Sequence, residues 1–420
     1  MLSSDIKKRI TNILLFLYGT SIGLPDIAID FYNTRLRIDD GIMMILFLCV
    51  FINGLYHPYR FTKSQLKFLK LIAIFAVFCL LSSCVTLILD LPFDSYSPLR
   101  MLGCMIILVT LSPILKSSRL LVWLGWGLLL GGTILMLQIL LRWHSKADQI
   151  SLLAYSFRLK NALSFKTWNP NTSASYAIML AFIMALISYE MSGIKKGIFW
   201  VGAGAFSLIP FFTFSRAAVG GVGTAWLTFI LLAHGNRPAK AWIVTVLFIA
   251  MFICLSIREG ELIRSAVRIN LSTGEGLSDH HINWRRALDL IAKSPLIGHG
   301  FGQEIRLYKA EFGGGMAQNA FLSVCVEGGL VGLLLFTWPL AHLGCCLWKF
   351  SHGRFYDTRA VLCFGFLLGI LVLNLSQSAL YWHKSQMIIM SLMVVYLGEV
   401  EKSLLCLNNI RHDRFEKCFQ

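Results

Sequence analysis

LLVWLGWGLLLGGTILMLQILL, residues 120–141, carries no charged side chain and is bracketed by Arg119 and Arg142. As a helix rising 1.5 Å per residue it would be about 33 Å long, enough for the roughly 30 Å hydrocarbon core of a bilayer. Eleven further stretches of the 420-residue chain read the same way: 11–29, 40–56, 69–89, 99–115, 173–191, 197–214, 218–234, 241–257, 320–347, 359–381 and 385–400. Several are short or hold a proline (Pro25, Pro113, Pro210, Pro339), which neighbouring helices tolerate in lipid by re-satisfying the freed backbone groups. No small-residue cleavage site follows the first stretch, so it is expected to be retained. The composition agrees, with 56% apolar and only 14% charged residues, against about 25% charged in soluble domains. A water-soluble globule, a disordered chain and a small disulfide scaffold are excluded. The expected fold is all-α: one polytopic membrane domain over 1–420 with about twelve transmembrane helices.

Lysines and arginines orient it. Lys7, Lys8 and Arg9; Arg60, Lys63 and Lys67; Lys116 and Arg119; Lys195 and Lys196; Arg237 and Lys240; Lys349, Arg354 and Arg359; and Lys402, Arg411, Arg414 and Lys417 all fall on one side of a twelve-span layout. The short loops of the other side hold only Arg35, Arg37, Arg100, Arg216 and Lys384. The positive-inside rule then puts both termini in the cytoplasm. The net charge of +16 is mostly this topology. Cations placed beside apolar spans form no single stripe, so nucleic acid is not the expected partner. Neither CxxC pairs nor Cys/His spacings of a zinc site occur, and no metal is expected.

Two long loops, 142–172 and 258–319, fall outside. The first has Arg142, Lys146, Arg158, Lys160 and Lys166 against the single acid Asp148, and leads into Trp168-Asn169-Pro170-Asn171. In the second, Trp284, Leu288 and Ile291 recur at i, i+4 and i+7, with Arg285, Arg286, Asp289 and Lys293 opposite. That pattern predicts an amphipathic helix over the bundle or on the lipid headgroups, ended by Pro295. Gly298, Gly300 and Gly302 lack the strand-then-helix setting of a nucleotide fingerprint and read as a flexible turn. Arg216 stands in the very short outer turn Phe214-Ser215-Arg216-Ala217. Such an arginine either snorkels to headgroup phosphates or binds an anion, and its planar fork suits a diphosphate. Trp168 and Trp284 are interfacial anchors or sugar-stacking platforms.

In order along the chain, four segments resemble the O-antigen ligase and polymerase superfamily. They are Asn169-Pro170-Asn171; Phe214-Ser215-Arg216-Ala217-Ala218; Trp284 through Ser294-Pro295-Leu296-Ile297-Gly298-His299-Gly300-Phe301-Gly302; and Gln318-Asn319 followed, after nine intervening residues, by Gly329-Leu330-Val331-Gly332. The resemblance implies a GT-C-like glycosyltransferase at the periplasmic face of a bacterial inner membrane, with short helices in a large periplasmic loop between spans nine and ten. It would move a glycan from undecaprenyl diphosphate to an acceptor hydroxyl, inverting the anomeric centre, with no metal and no cofactor. The acceptor is the lipid A core for ligases and another lipid-linked glycan for polymerases.

Carried over residue by residue, the resemblance implies that Arg216 clamps the diphosphate, with Arg285 and Arg286 as helpers and Asn169, Asn171, Trp284 and Asn319 binding substrate. Two positions depart from the family. Where ligases place a histidine before the asparagine, this chain has Gln318, which can orient a hydroxyl but cannot take its proton. Where many members have arginine four residues before Trp284, it has His280, followed by His281. Either of these supplies the missing imidazole, or they are ordinary loop residues, or the enzyme is a polymerase or divergent ligase needing none. The alternative from another class is a transporter or flippase for a lipid-linked substrate. Such proteins show related halves and intramembrane charges, neither of which stands out here.

Overall fold

The computed structural model describes residues 4–21, 28–31, 34–56, 59, 61–88, 96–115, 118–146, 170–212, 215–234, 243, 278–352, 356–375 and 387–402. In chain order the elements are α1 (Ser4–Ser21), β1 (Ala28–Phe31), β2 (Thr34–Arg37), α2 (Ile38–Tyr56), α3 (Lys63–Ile88), α4 (Tyr96–Ile114), α5 (Ser118–Lys146), α6 (Pro170–Ser188), α7 (Gly193–Phe212), α8 (Arg216–Leu232), α9 (Ser278–Lys293), α10 (Glu304–Phe312), α11 (Ala320–Ser351) and α12 (Thr358–Asn374). A last helix, α13, covers 387–402. Helices occupy eleven of the twelve apolar stretches, and the ninth, 241–257, lies outside the described residues apart from Ile243. The apolar segments Lys63–Cys84, Leu121–Gln138 and Ala320–Ser351 are long enough to cross a membrane, and shorter ones fill α2, α4, α6, α8 and α12.

The all-α expectation needs one amendment. β1 and β2 form an antiparallel hairpin, pairing Ala28 with Arg37 and Phe31 with Thr34. The first apolar stretch therefore does not run as a helix to residue 29. Apolar and polar residues alternate over Ile29-Asp30-Phe31 and again at Arg35-Leu36-Arg37, a strand period that averaged hydropathy absorbs. At the other end of the first group, α5 runs on through Lys146, five residues into the stretch expected as loop.

α6 is the central helix. Every residue from Ser175 to Ser188 is buried, as an element apolar all round must be. Around it, α8 packs along α12 and α7 along α6, while α11 lies between α12 and α3. Small residues let α8 and α12 touch backbone to backbone. A Cβ at Gly221 would sit 2.7 Å from the Gly369 carbonyl, and one at Gly365 2.6 Å from that of Ala225. Such close approach is how helices associate where lipid offers no hydrophobic drive.

Polar ties gather one end of the bundle. Arg359 Nη1 at the start of α12 donates to Glu190 Oε1 after α6 (2.8 Å). His234 N after α8 donates to the Tyr356 hydroxyl (2.6 Å), and Ser64 N in α3 to Glu401 Oε2 in α13 (3.2 Å). This end carries Lys63, Lys67, Lys195, Lys196, Lys349, Arg359 and Lys402, all grouped on one side by the charge pattern. Because α6 and α8 end here and α12 begins here, the opposite end holds the first residues of α6 and α8 and the last of α12.

The stretch read as one span from 320 is folded. Gly329 has φ 61° and ψ −160° inside α11. The Phe321 and Phe336 rings stand 6.0 Å apart, and a Cβ at Gly332 would lie 3.5 Å from the Val324 carbonyl. In a straight helix Phe321 and Phe336 would be about 22 Å apart. α11 is thus a short limb, Ala320–Gly328, doubled back along a long limb, Leu330–Ser351. The long limb, about 33 Å, suffices on its own to cross a bilayer.

Candidate functional site

A doubled-back helix orphans backbone groups, and the segment 295–302 takes them up. His299 N donates to Val326 O (3.0 Å) and Gly300 N to Glu327 O (2.8 Å). In return Leu330 N donates to Pro295 O (2.8 Å) and Val331 N to Leu296 O (3.1 Å). The crossing is close: a Cβ at Gly298 would strike the Glu327 backbone and one at Gly329 that of Leu296. Gly298, Gly300 and Gly302 all have positive φ (67°, 100° and 89°). Expected as a flexible turn, they form a strap bonded to the break in α11. Phe301 at its end is buried against Phe75 and Phe78 of α3, with ring centroids at 5.9 and 5.8 Å.

Two buried carboxylates brace the same region. Glu327 Oε1 accepts from Gly302 N (3.0 Å) and Glu304 N (3.3 Å). Glu304 Oε1 accepts from Ala317 N (2.7 Å) and the Ser323 hydroxyl (3.0 Å). Burial pushes the Glu304 carboxyl above the usual carboxylate range, against the pull of those two donors. The Tyr308 phenol is pushed up by burial and by neighbouring Glu304, with Arg286 opposing. Sequence reasoning missed both acids. The signal was there in Glu327, an acid inside an apolar stretch, where charge is expensive.

Their effect reaches residue 318. Ala317 N is held by Glu304, and Gln318 takes φ 52°, a left-handed conformation that costs a non-glycine residue about 1–3 kcal/mol. Asn319 caps α11, its Oδ1 accepting from Phe321 N (2.9 Å) and Leu322 N (3.1 Å). Its Nδ2 donates to Leu375 O just past α12 (2.9 Å). The Asn319 side chain is therefore committed to protein partners, while Gln318 beside it is half-buried.

The helix register brings a second motif to this end. Gly221 and Gly220 lie against Gly369, Leu373 and Val372, so the first turn of α8 stands level with the end of α12. Arg216 is the first residue of α8, after the buried N-cap Ser215. What is described of Arg216 is its backbone. A cation opposes the positive end of a helix dipole, so helix stability does not account for an arginine there. α6 runs parallel to α8, and Pro170 and Asn171 open it at the same end; for Asn171, too, only the backbone is described. Asn169 lies outside the described residues.

α9 carries the remaining candidates, rotated from expectation. Asn283, Ala287 and Leu290 are its buried face, while Leu288 is 56% exposed and Trp284 and Ile291 are half-buried. The reason is packing on α10 and α11 instead of on a flat surface. The Tyr308 hydroxyl donates to the Asn283 carbonyl (2.6 Å), and small Ala287 lets the helices close. Lys293 pairs with Glu311 across the same contact. Arg286 stacks on the Phe312 ring at 5.1 Å, whereas Arg285 and His281 are exposed. His280 is described by its backbone alone, in the first turn of α9. The Trp284 indole N–H is buried without a hydrogen-bond partner among the described residues. No group of three or more His, Cys, Asp or Glu that could hold a metal occurs among the described residues.

The starts of α6, α8 and α11 thus come to the end of the bundle where α12 finishes, and the strap ties the α9–α10 pair to α11. Chemically, such an end offers helix N-termini to an anion, arginines to a phosphate and an amide to a hydroxyl. Residues 201–337 match the family model described as O-antigen ligase. That segment runs from α7 to the long limb of α11 and includes the Arg216 turn, the strap and Gln318-Asn319. No curated protein matches the chain.

Proposed function

We propose that the chain is a membrane glycosyltransferase of the O-antigen ligase and polymerase superfamily, taking its glycan from undecaprenyl diphosphate, a reading supported by the match of residues 201–337 to the O-antigen ligase family model. Transfer runs at the periplasmic face of a bacterial inner membrane, to a sugar hydroxyl of the lipid A core. The observation carrying this reading is the shared level of the Arg216 turn, Gln318-Asn319 and the end of α12. Arg216 clamps the departing diphosphate, with Arg285 and Arg286 as further cations. A diphosphate leaves without a strong general acid, so stabilising its developing charge is the main task. Gln318, held left-handed beside the α11 cap, orients the acceptor hydroxyl. His280 or His281 at the start of α9 takes its proton. Trp284 and Asn171 bind the sugar. The polymerase variant of the reaction differs only in the acceptor, a second lipid-linked glycan.

Reconstitution in vesicles with a lipid-linked glycan separates these outcomes. Product on added rough lipopolysaccharide supports ligation. A ladder formed without it supports polymerisation. Movement of the lipid across the bilayer with no transfer would overturn the enzyme reading.

A further inference from the structure

Leu296 and Ile297 of the strap are 64% and 67% exposed. Two adjacent aliphatic side chains left open at a loop tip are costly if the loop stands in water. Their neighbours show a different setting. The exchange between Pro295, Leu296, Leu330 and Val331 pins the pair beside the start of α11's long limb. On that limb Leu330, Val331, Leu334 and Trp338 are exposed at i, i+1, i+4 and i+8, which is one helix face. The limb lies in an apolar segment long enough to cross a membrane, so this face meets acyl chains. The strap pair is continuous with it.

The turn's backbone suits lipid as well. Pro295 has no N–H to satisfy, and the Pro295 and Leu296 carbonyls are taken by α11. Gly298 N donates to Ser294 O (3.1 Å), and the Ser294 hydroxyl donates back to Gly298 O (2.7 Å). These pairings meet part of what a non-helical backbone needs at membrane depth. No charge interrupts 294–298.

We propose that the Pro295–Gly298 turn is a membrane anchor, with Leu296 and Ile297 inserted among the acyl chains at the edge of the hydrocarbon. Inserted there, it holds α9 and α10, and with them Arg285 and Arg286, at a fixed height over the bundle. The proposal is independent of the reaction assigned above, because it concerns only where the turn stands relative to lipid.

The test uses the full chain in vesicles of phosphatidylethanolamine and phosphatidylglycerol. A photoactivatable aliphatic residue is placed in turn at Leu296, Ile297, Leu334 and Asp289, and adducts are read by mass spectrometry. All four positions are at the surface, so folding is checked simply by monodispersity in detergent. Lipid adducts at 296 and 297 are expected within about twofold of those at 334, with position 289 at least about fivefold lower. Yields at 296 and 297 as low as at 289 would overturn the proposal. Adducts dominated by a second copy of the chain, or by added polyprenyl lipid over bulk lipid, would overturn it too.

Discussion

At Glu304 the fold sets a carboxylate in the interior, where its oxygen serves two buried donors. Replacing it with alanine strands the Ala317 N–H and the Ser323 hydroxyl, and the expected loss is about 2–4 kcal/mol. Glutamine keeps an acceptor oxygen and carries no charge, so Glu304→Gln should be as stable as the parent or more so. The pH dependence follows from the upward shift. The folded state binds the proton more tightly than the unfolded chain, so this group favours folding most at pH values below its ordinary 4.5. That contribution fades as pH rises through the raised folded value. Thermal unfolding in detergent from about pH 5 to about pH 8 should therefore fall more steeply for the parent than for Glu304→Gln. Parallel curves would show that the carboxyl is not protonated by burial. Gln318 is a milder case: Gln318→Ala should slow transfer less than Arg216→Ala, since it loses one orienting hydrogen bond, and an equal or greater loss would shift the main burden to acceptor placement.

α11 shows what an element adds to a list of residues. Hydropathy found it as a span, because apolar composition is the same whether a helix is straight or doubled back. The clue to the fold-back was the pair Gly328-Gly329 together with the glycines of the strap, and it needs the three-dimensional crossing to be read. Gly329 holds a backbone region open essentially to glycine alone, and Gly298 sits where any Cβ meets the Glu327 backbone. Gly329→Ala and Gly298→Ala should each cost about 2–4 kcal/mol. Gly223→Ala in α8, where a Cβ meets nothing within 4 Å, should be neutral or stabilise by up to about 1 kcal/mol. Thermal unfolding of the three variants checks this, and equal behaviour would remove the case for a rigid crossing. The face of α9 was misread by one residue for a related reason. A helix on a flat surface buries its largest apolar side chains, whereas α9 meets α10 through Asn283 and Ala287. The Gln318-Asn319 motif was picked out by resemblance, with Asn319 expected to bind substrate; that Asn319 caps α11 was not read from the sequence, although a cap is a local device tied to the first turn of a helix.

At the scale of the whole molecule, the charge pattern and the packing agree on two unlike ends. The end with Lys63, Lys195, Arg359 and Lys402 is knitted by ion pairs and caps, as in the Arg359 contacts to Glu190 and Asp357. The other end gathers the described parts of the segments that resemble the ligase superfamily, though these are scattered over some 160 residues of sequence. Order along the chain could not reveal that convergence. It arises because α6, α8 and the long stretch before α11 all deliver their motifs to helix starts at the same level. Reporter fusions after α7 and after α12 should put both junctions on the extracytoplasmic side, opposite to Lys195. The central claim is that Arg216 serves the departing diphosphate at this end, and the rate of glycan transfer in proteoliposomes matched for inserted protein tests it most directly. Arg216→Ala should lower that rate by about 10²–10³-fold, with Arg216→Lys intermediate. An Arg216→Ala rate within about twofold of the parent would contradict it.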